Sequence, residues 1–192
     1  MSGGRRLVLA TGNQGKLREY RDLLEPAGYE VIPFGNEVDE TGATYAENAT
    51  LKALAALEAT GEACLGDDSG VEVEALGGFP GLRSARLGPT QIERTAILLR
   101  MLVDKPRPWK ARFTCTIAAA LPGRPVRTFE GECRGEIVPE WRGEAGFGYD
   151  PVFYVPGAGR TFGEMERSEK DRWSHRGTAI RALLESGWPD EG

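Results

Sequence analysis

Apolar runs of strand length alternate with stretches of helical spacing through the first hundred residues, which confines the chain to an α/β sheet architecture. Arg6 to Thr11 is a short apolar run that stops at Gly12-Asn13. Residues 14 to 25 carry Leu17, Tyr20, Leu23 and Leu24 at helical spacing, and Pro26 and Gly28 close that helix. Tyr29 to Phe34 predicts a second strand. Thr44 to Thr60 predicts an alanine- and leucine-rich helix, with Thr44 and Glu47 as a capping pattern at its start and Gly61 past its end. Ala63 to Gly66 leads into a turn at Asp67-Asp68-Ser69-Gly70, after which Val71 and Val73 alternate with Glu72 and Glu74 as in a half-buried strand. Thr90 to Val103 predicts a third helix with Ile92, Ala96, Leu99 and Val103 as its apolar face.

The second half changes character. Arg112 to Leu121 and Val126 to Glu132, joined by a Pro-Gly-Arg-Pro turn, predict a long antiparallel hairpin. Ile137-Val138 and Val152 to Val155 predict further short strands. Ser174 to Ser186 predicts a closing helix with Ala179, Ile180, Leu183 and Leu184 on its apolar side. The sheet is therefore expected to be mixed. The Gly/Pro-rich stretch near 156 to 160 reads as a loop, so residues 1–192 are expected to form a single domain.

Composition narrows the partners. With a net charge of −5 the chain has no basic footprint for duplex nucleic acid, although a small phosphorylated ligand needs only a local cluster of Lys and Arg. Cys64, Cys115 and Cys133 are odd in number, widely spaced and inside apolar or strand-like runs. They read as buried thiols in a reducing compartment, not as a disulfide framework or zinc site. No segment has the layout of a signal peptide or the length of a membrane span, so the cytosol is the expected compartment.

Four polar constellations lie at predicted strand ends and helix starts, in addition to the Asp67-Asp68 pair. The Asp67-Asp68 pair suits Mg²⁺, which takes oxygen ligands and often links one or two carboxylates to substrate phosphates. The same residues also fit a plain β-turn that accepts backbone N–H bonds. Thr11-Gly12-Asn13-Gln14-Gly15-Lys16 could hold an anion through glycine-permitted backbone approach, a helix N-terminus and Lys16. It is not a Walker A loop, since Ala10 and Leu17 stand where that motif needs glycine and Ser or Thr. Glu40 lies in a loop, free to reach a metal, while Asn48 and Lys52 share one face of the following helix. Phe147 and Tyr149, between glycines, could stack on a flat ring or pack inward. Lys170, His175 and Arg176 gather donors near the last helix, and His175 is the single histidine of the chain.

Taken in order, these segments resemble the inosine triphosphate pyrophosphatase family. The matches are Thr11-Gly12-Asn13…Lys16, Glu40-Thr41-Gly42…Glu47-Asn48-Ala49…Lys52-Ala53, Asp67-Asp68-Ser69-Gly70 with Pro80-Gly81…Ser84-Ala85-Arg86, Phe147-Gly148-Tyr149-Asp150-Pro151, and Ser174-His175-Arg176. They span nearly the whole chain. Arg83 stands where the family commonly has tyrosine, and Gly66 where it commonly has alanine.

The resemblance implies an elongated mixed sheet flanked by helices, with a nucleotide cleft between two lobes. It implies hydrolysis of ITP, dITP and XTP to the monophosphate and pyrophosphate with Mg²⁺. Asp68 would be the base and a metal ligand, with Glu40 the other metal-linked carboxylate. Thr11 to Lys16, Lys52 and Ser69 would hold the substrate. Phe147, Gly148, Tyr149, Asp150, Lys170, His175 and Arg176 would hold the base, their donors favouring a 6-oxo acceptor over adenine's 6-amino group. A homodimer is also implied. A kinase or nucleotidyl transferase, a non-catalytic nucleotide-binding module, and a pyrophosphatase for other aberrant nucleotides are the rival readings.

Overall fold

A computed structural model describes residues 5–36 and 38–190. Its elements run β1 (Arg5–Ala10), α1 (Gln14–Leu24), β2 (Tyr29–Phe34), α2 (Tyr45–Thr60), β3 (Cys64–Val73), α3 (Gln91–Leu102), β4 (Trp109–Ala120), β5 (Arg127–Ile137), β6 (Phe153–Val155), β7 (Arg160–Thr161), α4 (Arg167–Trp173) and α5 (His175–Glu185). The seven strands form a sheet in the order β2-β1-β3-β4-β5-β6-β7. β1 pairs in parallel with β2 and β3, whereas β5 with β6 and β6 with β7 are antiparallel. The sheet is thus mixed, as the strand order in the sequence implies.

Packing divides the chain into two compact units built from discontinuous segments. One comprises the described residues 5–36, 38–68, 115–131 and 175–190, and the other residues 69–114 and 132–174. The first unit buries Leu7, Leu9, Leu17, Tyr20, Leu65, Ile117 and Ile180 in its core. The second buries Val71, Val73, Leu98, Leu102, Phe113, Phe153 and Phe162, and the rings of Phe153 and Phe162 stack at 5.3 Å.

In the first unit α2 approaches β3 closely because position 66 has no side chain. A Cβ on Gly66 would lie 2.0 Å from the Ala49 carbonyl oxygen and 2.7 Å from the Ala53 nitrogen. The glycine that stands in place of alanine therefore sets how near Asn48 and Lys52 come to the aspartates. Arg83 is exposed, and nothing in the structure explains it.

Several expectations change. Asp67 to Gly70 is not a turn: β3 runs unbroken from Cys64 to Val73, with both aspartates buried in mid-strand. Charges are tolerated there because cations and donors from distant segments meet them, as described below. Ile137 belongs to β5, not to a separate strand. The buried face of α3 is Thr95, Leu98 and Leu102, while Ile92 and Val103 at its ends are 70% and 69% exposed. That helix carries two apolar sets at helical spacing, and periodicity alone does not say which one packs. The region from 156 to 173 holds β7 and α4, elements too short to leave a periodic signal.

Candidate active site

The first unit builds its site from the ends of β1 and α1, the loop before α2, and the middle of β3. Asn13 caps α1, its Oδ1 accepting from Gly15 N at 2.8 Å and Lys16 N at 3.1 Å. Thr11 Oγ1 accepts from Asn13 N at 3.1 Å. Both side chains therefore shape the loop through its own backbone. A Cβ on Gly12 would meet nothing within 4 Å, so the protein itself does not require glycine there. Open space beside Gly12 is what close approach of a ligand to the backbone would use.

The loop before α2 is closed by Asn48, whose Oδ1 accepts from Gly42 N at 2.8 Å. A Cβ on Gly42 would lie 2.6 Å from Glu47 Cβ and 2.7 Å from that Oδ1, so this approach needs glycine. Glu47 supports the helix start: its N–H donates to Thr44 Oγ1 and its carboxylate accepts from Ala43 N. The same Asn48 turns its Nδ2 to Asp68 Oδ2 at 3.0 Å. Lys52, one turn further along α2, donates to the Asp67 carbonyl at 2.9 Å, pairs with Glu40, and lies 3.6 Å from Asp68 Oδ1. Its ammonium thus sits between the two carboxylates named above as metal-linked.

The adjacent aspartates have opposite surroundings. Asp67 is fully buried. Its Oδ2 accepts from Arg176 Nε at 2.8 Å, Tyr20 OH at 3.0 Å and Cys115 Sγ at 3.2 Å, while Oδ1 pairs with Lys16. Burial works to raise its pKa, but the Arg176 and Lys16 charges and hydrogen bonds outweigh burial and hold the carboxyl well below the usual carboxylate range. At Asp68 burial wins: it pushes the carboxyl up against the Lys52 and Lys16 charges and the Asn48 hydrogen bond, with Glu40 adding to the rise. Burial would lower the Lys52 pKa, yet Asp68, Glu40 and Asp67 raise it on balance. Two neighbouring carboxyls pushed in opposite directions indicate two different roles.

Arg176 is 1% exposed and pairs with Glu19 as well as Asp67, and His175 is also buried. Both residues, read from the sequence as base-facing donors, are packed inside the first unit. Glu19, Tyr20 and Cys115 were not legible as part of this cluster, since Tyr20 and Cys115 read as core residues. The spacing of Glu19 from Lys16, one turn apart on a helix, is the signal that could have found it.

The second unit contributes a different cluster. Asp150 Oδ2 accepts from Phe147 N at 2.7 Å and from Lys170 Nζ at 2.6 Å. Gly146, at φ +76°, makes room for that carboxylate: a Cβ there would lie 2.0 Å from Asp150 Oδ2. Lys170 Nζ stands 4.8 Å from the centre of the Phe147 ring. Phe147, Gly148 and Ser69 are half-buried, whereas Tyr149 is buried. The Tyr149 hydroxyl donates to the Ser84 carbonyl at 2.8 Å, and burial pushes its pKa up to about 12. Of the two aromatics, Phe147 is the half-buried one and Tyr149 ties its loop to the Ser84-Ala85-Arg86 segment.

Among the described residues, no group of three or more His, Cys, Asp and Glu side chains could hold a metal ion alone. Two hard carboxylates flanking a cation nevertheless suit Mg²⁺, which commonly completes its shell with substrate phosphates and water. Among the described residues no helix is long and apolar enough to cross a membrane.

Comparison with known proteins gives three findings. The Ham1 family model matches residues 7–186. A dITP/XTP pyrophosphatase of Gloeobacter violaceus is 54% identical over 180 residues, 93% of this chain and 92% of that protein. The solved structure of the Staphylococcus aureus Ham1 protein superposes with a TM-score of 0.84 at 36% identity, covering 98% of this chain and 100% of that one.

Proposed function

Because this chain belongs to the Ham1 family, we propose that it acts as its pyrophosphatase relatives are named, hydrolysing dITP, XTP and ITP to the monophosphate and pyrophosphate. The observation that carries the residue assignment is the Lys52 ammonium held between Glu40 and Asp68, next to the Lys16–Asp67 pair. It is a site built for alternating positive and negative charge, as a metal–polyphosphate requires.

Glu40 and Asp68 would hold Mg²⁺, which when bound lowers the pKa of a water ligand and neutralises phosphate oxygens. Asp68 takes the proton of the attacking water, as its raised pKa favours. The water oxygen forms a bond to the α-phosphorus. The bond from that phosphorus to the bridging oxygen breaks, and pyrophosphate leaves with the electron pair. Lys16 and Lys52 balance the charge of the β and γ groups, and the Gly12 backbone lets them approach closely. No covalent nucleophile is needed, and Ser69 positions the ligand. In H₂¹⁸O the label is expected in the monophosphate, with one pyrophosphate per turnover, read by ³¹P NMR and mass spectrometry. Label in pyrophosphate, or release of orthophosphate, would overturn attack at the α-phosphorus.

Phe147 would stack on the purine, with Lys170, oriented by Asp150, offering a donor to its 6-oxo group. Gly148 and Tyr149 shape the same loop. His175 and Arg176, expected from the resemblance to hold the base, are buried in the first unit and would act there through their packing. Stacking on an aromatic side chain is worth about 1–3 kcal/mol per base. Phe147→Ala is therefore expected to raise KM for dITP about tenfold, the low-to-middle part of that range, with kcat within about threefold. An unchanged KM would remove Phe147 from the base site.

A homodimer in the cytosol with no nucleic-acid partner completes the proposal, the last resting on the net charge of −5. Sedimentation equilibrium tests the dimer. A transferase is the second reading, and it predicts pyrophosphate release only when an acceptor is added.

A further inference from the structure

We propose that Asp67 is a positioning residue which fixes the Lys16 ammonium at one point for the polyphosphate of the substrate, through a buried cradle completed by Arg176, Tyr20 and Cys115. The inference rests on the function proposed above and assigns a role to a carboxylate that the chemistry itself leaves unused.

The geometry carries it. A carboxylate oxygen has about two lone-pair sites. Asp67 Oδ2 already meets three donors, Arg176 Nε, Tyr20 OH and Cys115 Sγ. Oδ1 is paired with Lys16. Side chains from α1, β4 and α5 thus fill Oδ2 and hold Oδ1 against Lys16, so the carboxylate is committed to its buried neighbours. Its own side chain is wholly buried, while that of Lys16 is 14% exposed, so the pair joins a fixed anion to a cation that reaches the surface. Arg176 is anchored on its far side by Glu19, one turn along α1 from Lys16. The same helix thus supplies the cation to be placed and the carboxylate that braces the arginine. A flexible lysine loses rotamer freedom when it meets its ligand. One already held by a rigid anion loses less, which is the advantage of preorganisation.

The backbone adds a second constraint. The Asp67 carbonyl accepts from Lys52 at 2.9 Å. One residue in mid-strand therefore sets both lysines that the proposed function places on the polyphosphate, Lys16 through its side chain and Lys52 through its main chain. Changing the side chain removes the direct contact to Lys16 and leaves the main-chain contact to Lys52 in place.

A double-mutant cycle tests this. Asp67→Asn is expected to raise KM for dITP about tenfold with kcat within about threefold, because the Lys16 ammonium is no longer held for the polyphosphate in either the ground or the transition state. Lys16→Met is expected to do the same. In the double variant KM should rise by less than about twofold beyond Lys16→Met, since there is no longer a lysine to place. A residue that only stabilises the fold would give effects that multiply, and multiplied effects overturn the proposal. Should Asp67→Asn not fold, Lys16→Arg decides. Arginine keeps the charge but carries a longer, planar head that cannot fill the same point. KM is expected to rise about fivefold or more, and an unchanged KM overturns the proposal. If the wild-type chain releases no pyrophosphate from dITP, the proposed function fails. If it does release pyrophosphate and the cycle is additive, only the role of Asp67 fails.

Discussion

Asp68→Asn is expected to cut turnover of dITP by about a thousandfold or more, within the 10²–10⁴ range for loss of a positioned general base. The fold should survive it. Asparagine keeps the shape of aspartate and an acceptor oxygen for Asn48 Nδ2, which lies 3.0 Å from the carboxylate. Burial already works against the charged form of Asp68, so a neutral group there relieves desolvation instead of adding to it. The thermal midpoint is therefore expected to stay the same or rise, and circular dichroism to be unchanged. The pH profile gives an independent check. A base must be deprotonated, so activity is present above the Asp68 pKa and lost as pH falls through it. Because that pKa is raised, the acid limb of kcat/KM should lie above the range where an ordinary carboxylate titrates. Metal binding pulls the limb of kcat back toward that range, so the free-enzyme limb is the one to read. Near-normal hydrolysis by Asp68→Asn would overturn its assignment as base.

Much of this arrangement was legible in the sequence, for physical reasons that also mark where legibility stopped. Thr44 ahead of a helical run identified the start of α2, because capping is a local hydrogen bond between residues three apart. The start of α3 was placed at Thr90 by spacing, and the structure shows that Thr90 caps it through Glu93. The buried face of α3 was not legible, since two apolar sets share its spacing and only the tertiary partner chooses between them. The aspartates in mid-strand were read as a turn because charge in a buried strand is costly. The groups that lower that cost, Lys16 and Arg176, lie 51 and 109 residues away in sequence. The motifs brought Glu40, Lys52 and Asp68 to attention separately, and the structure places Lys52 against both carboxylates. They could not show that Lys52 sits between the two carboxylates, or that Tyr20 and Cys115, both apolar by pattern, donate to Asp67. Polar contacts made by core residues leave no periodic trace.

Gly131→Ala is expected to destabilise the chain by about 3 kcal/mol, the upper part of the 1–3 kcal/mol typical of overpacking. A Cβ at position 131 in β5 would lie 2.0 Å from the His175 carbonyl oxygen, 2.5 Å from the Ala179 nitrogen and 3.0 Å from Thr178 Cβ. Two of these are backbone atoms of α5, so no side-chain rotation relieves the clash. The helix must lift from the strand, and the core beneath it, with Ala179, Ile180 and Leu183 fully buried, must open. For a chain of this size about 3 kcal/mol lowers the thermal midpoint by roughly 6–12 °C. The effect should also reach the site. Arg176 is the second residue of α5, and its Nε holds Asp67 at 2.8 Å. Lifting the helix loosens the cradle of Lys16, so KM for dITP should rise in the folded variant measured well below its midpoint. Gly66→Ala makes the matching change under α2, where a Cβ would lie 2.0 Å from the Ala49 carbonyl oxygen. Because alanine is common at this place in the family the chain resembles, α2 is expected to shift and take it up at a smaller cost in stability, with kcat altered because α2 carries Asn48 and Lys52 against Asp68. Differential scanning calorimetry and steady-state kinetics on the two variants separate these outcomes. A loss under about 1 kcal/mol for Gly131→Ala, with KM unchanged, would mean that α5 does not rest on β5 as closely as the structure places it.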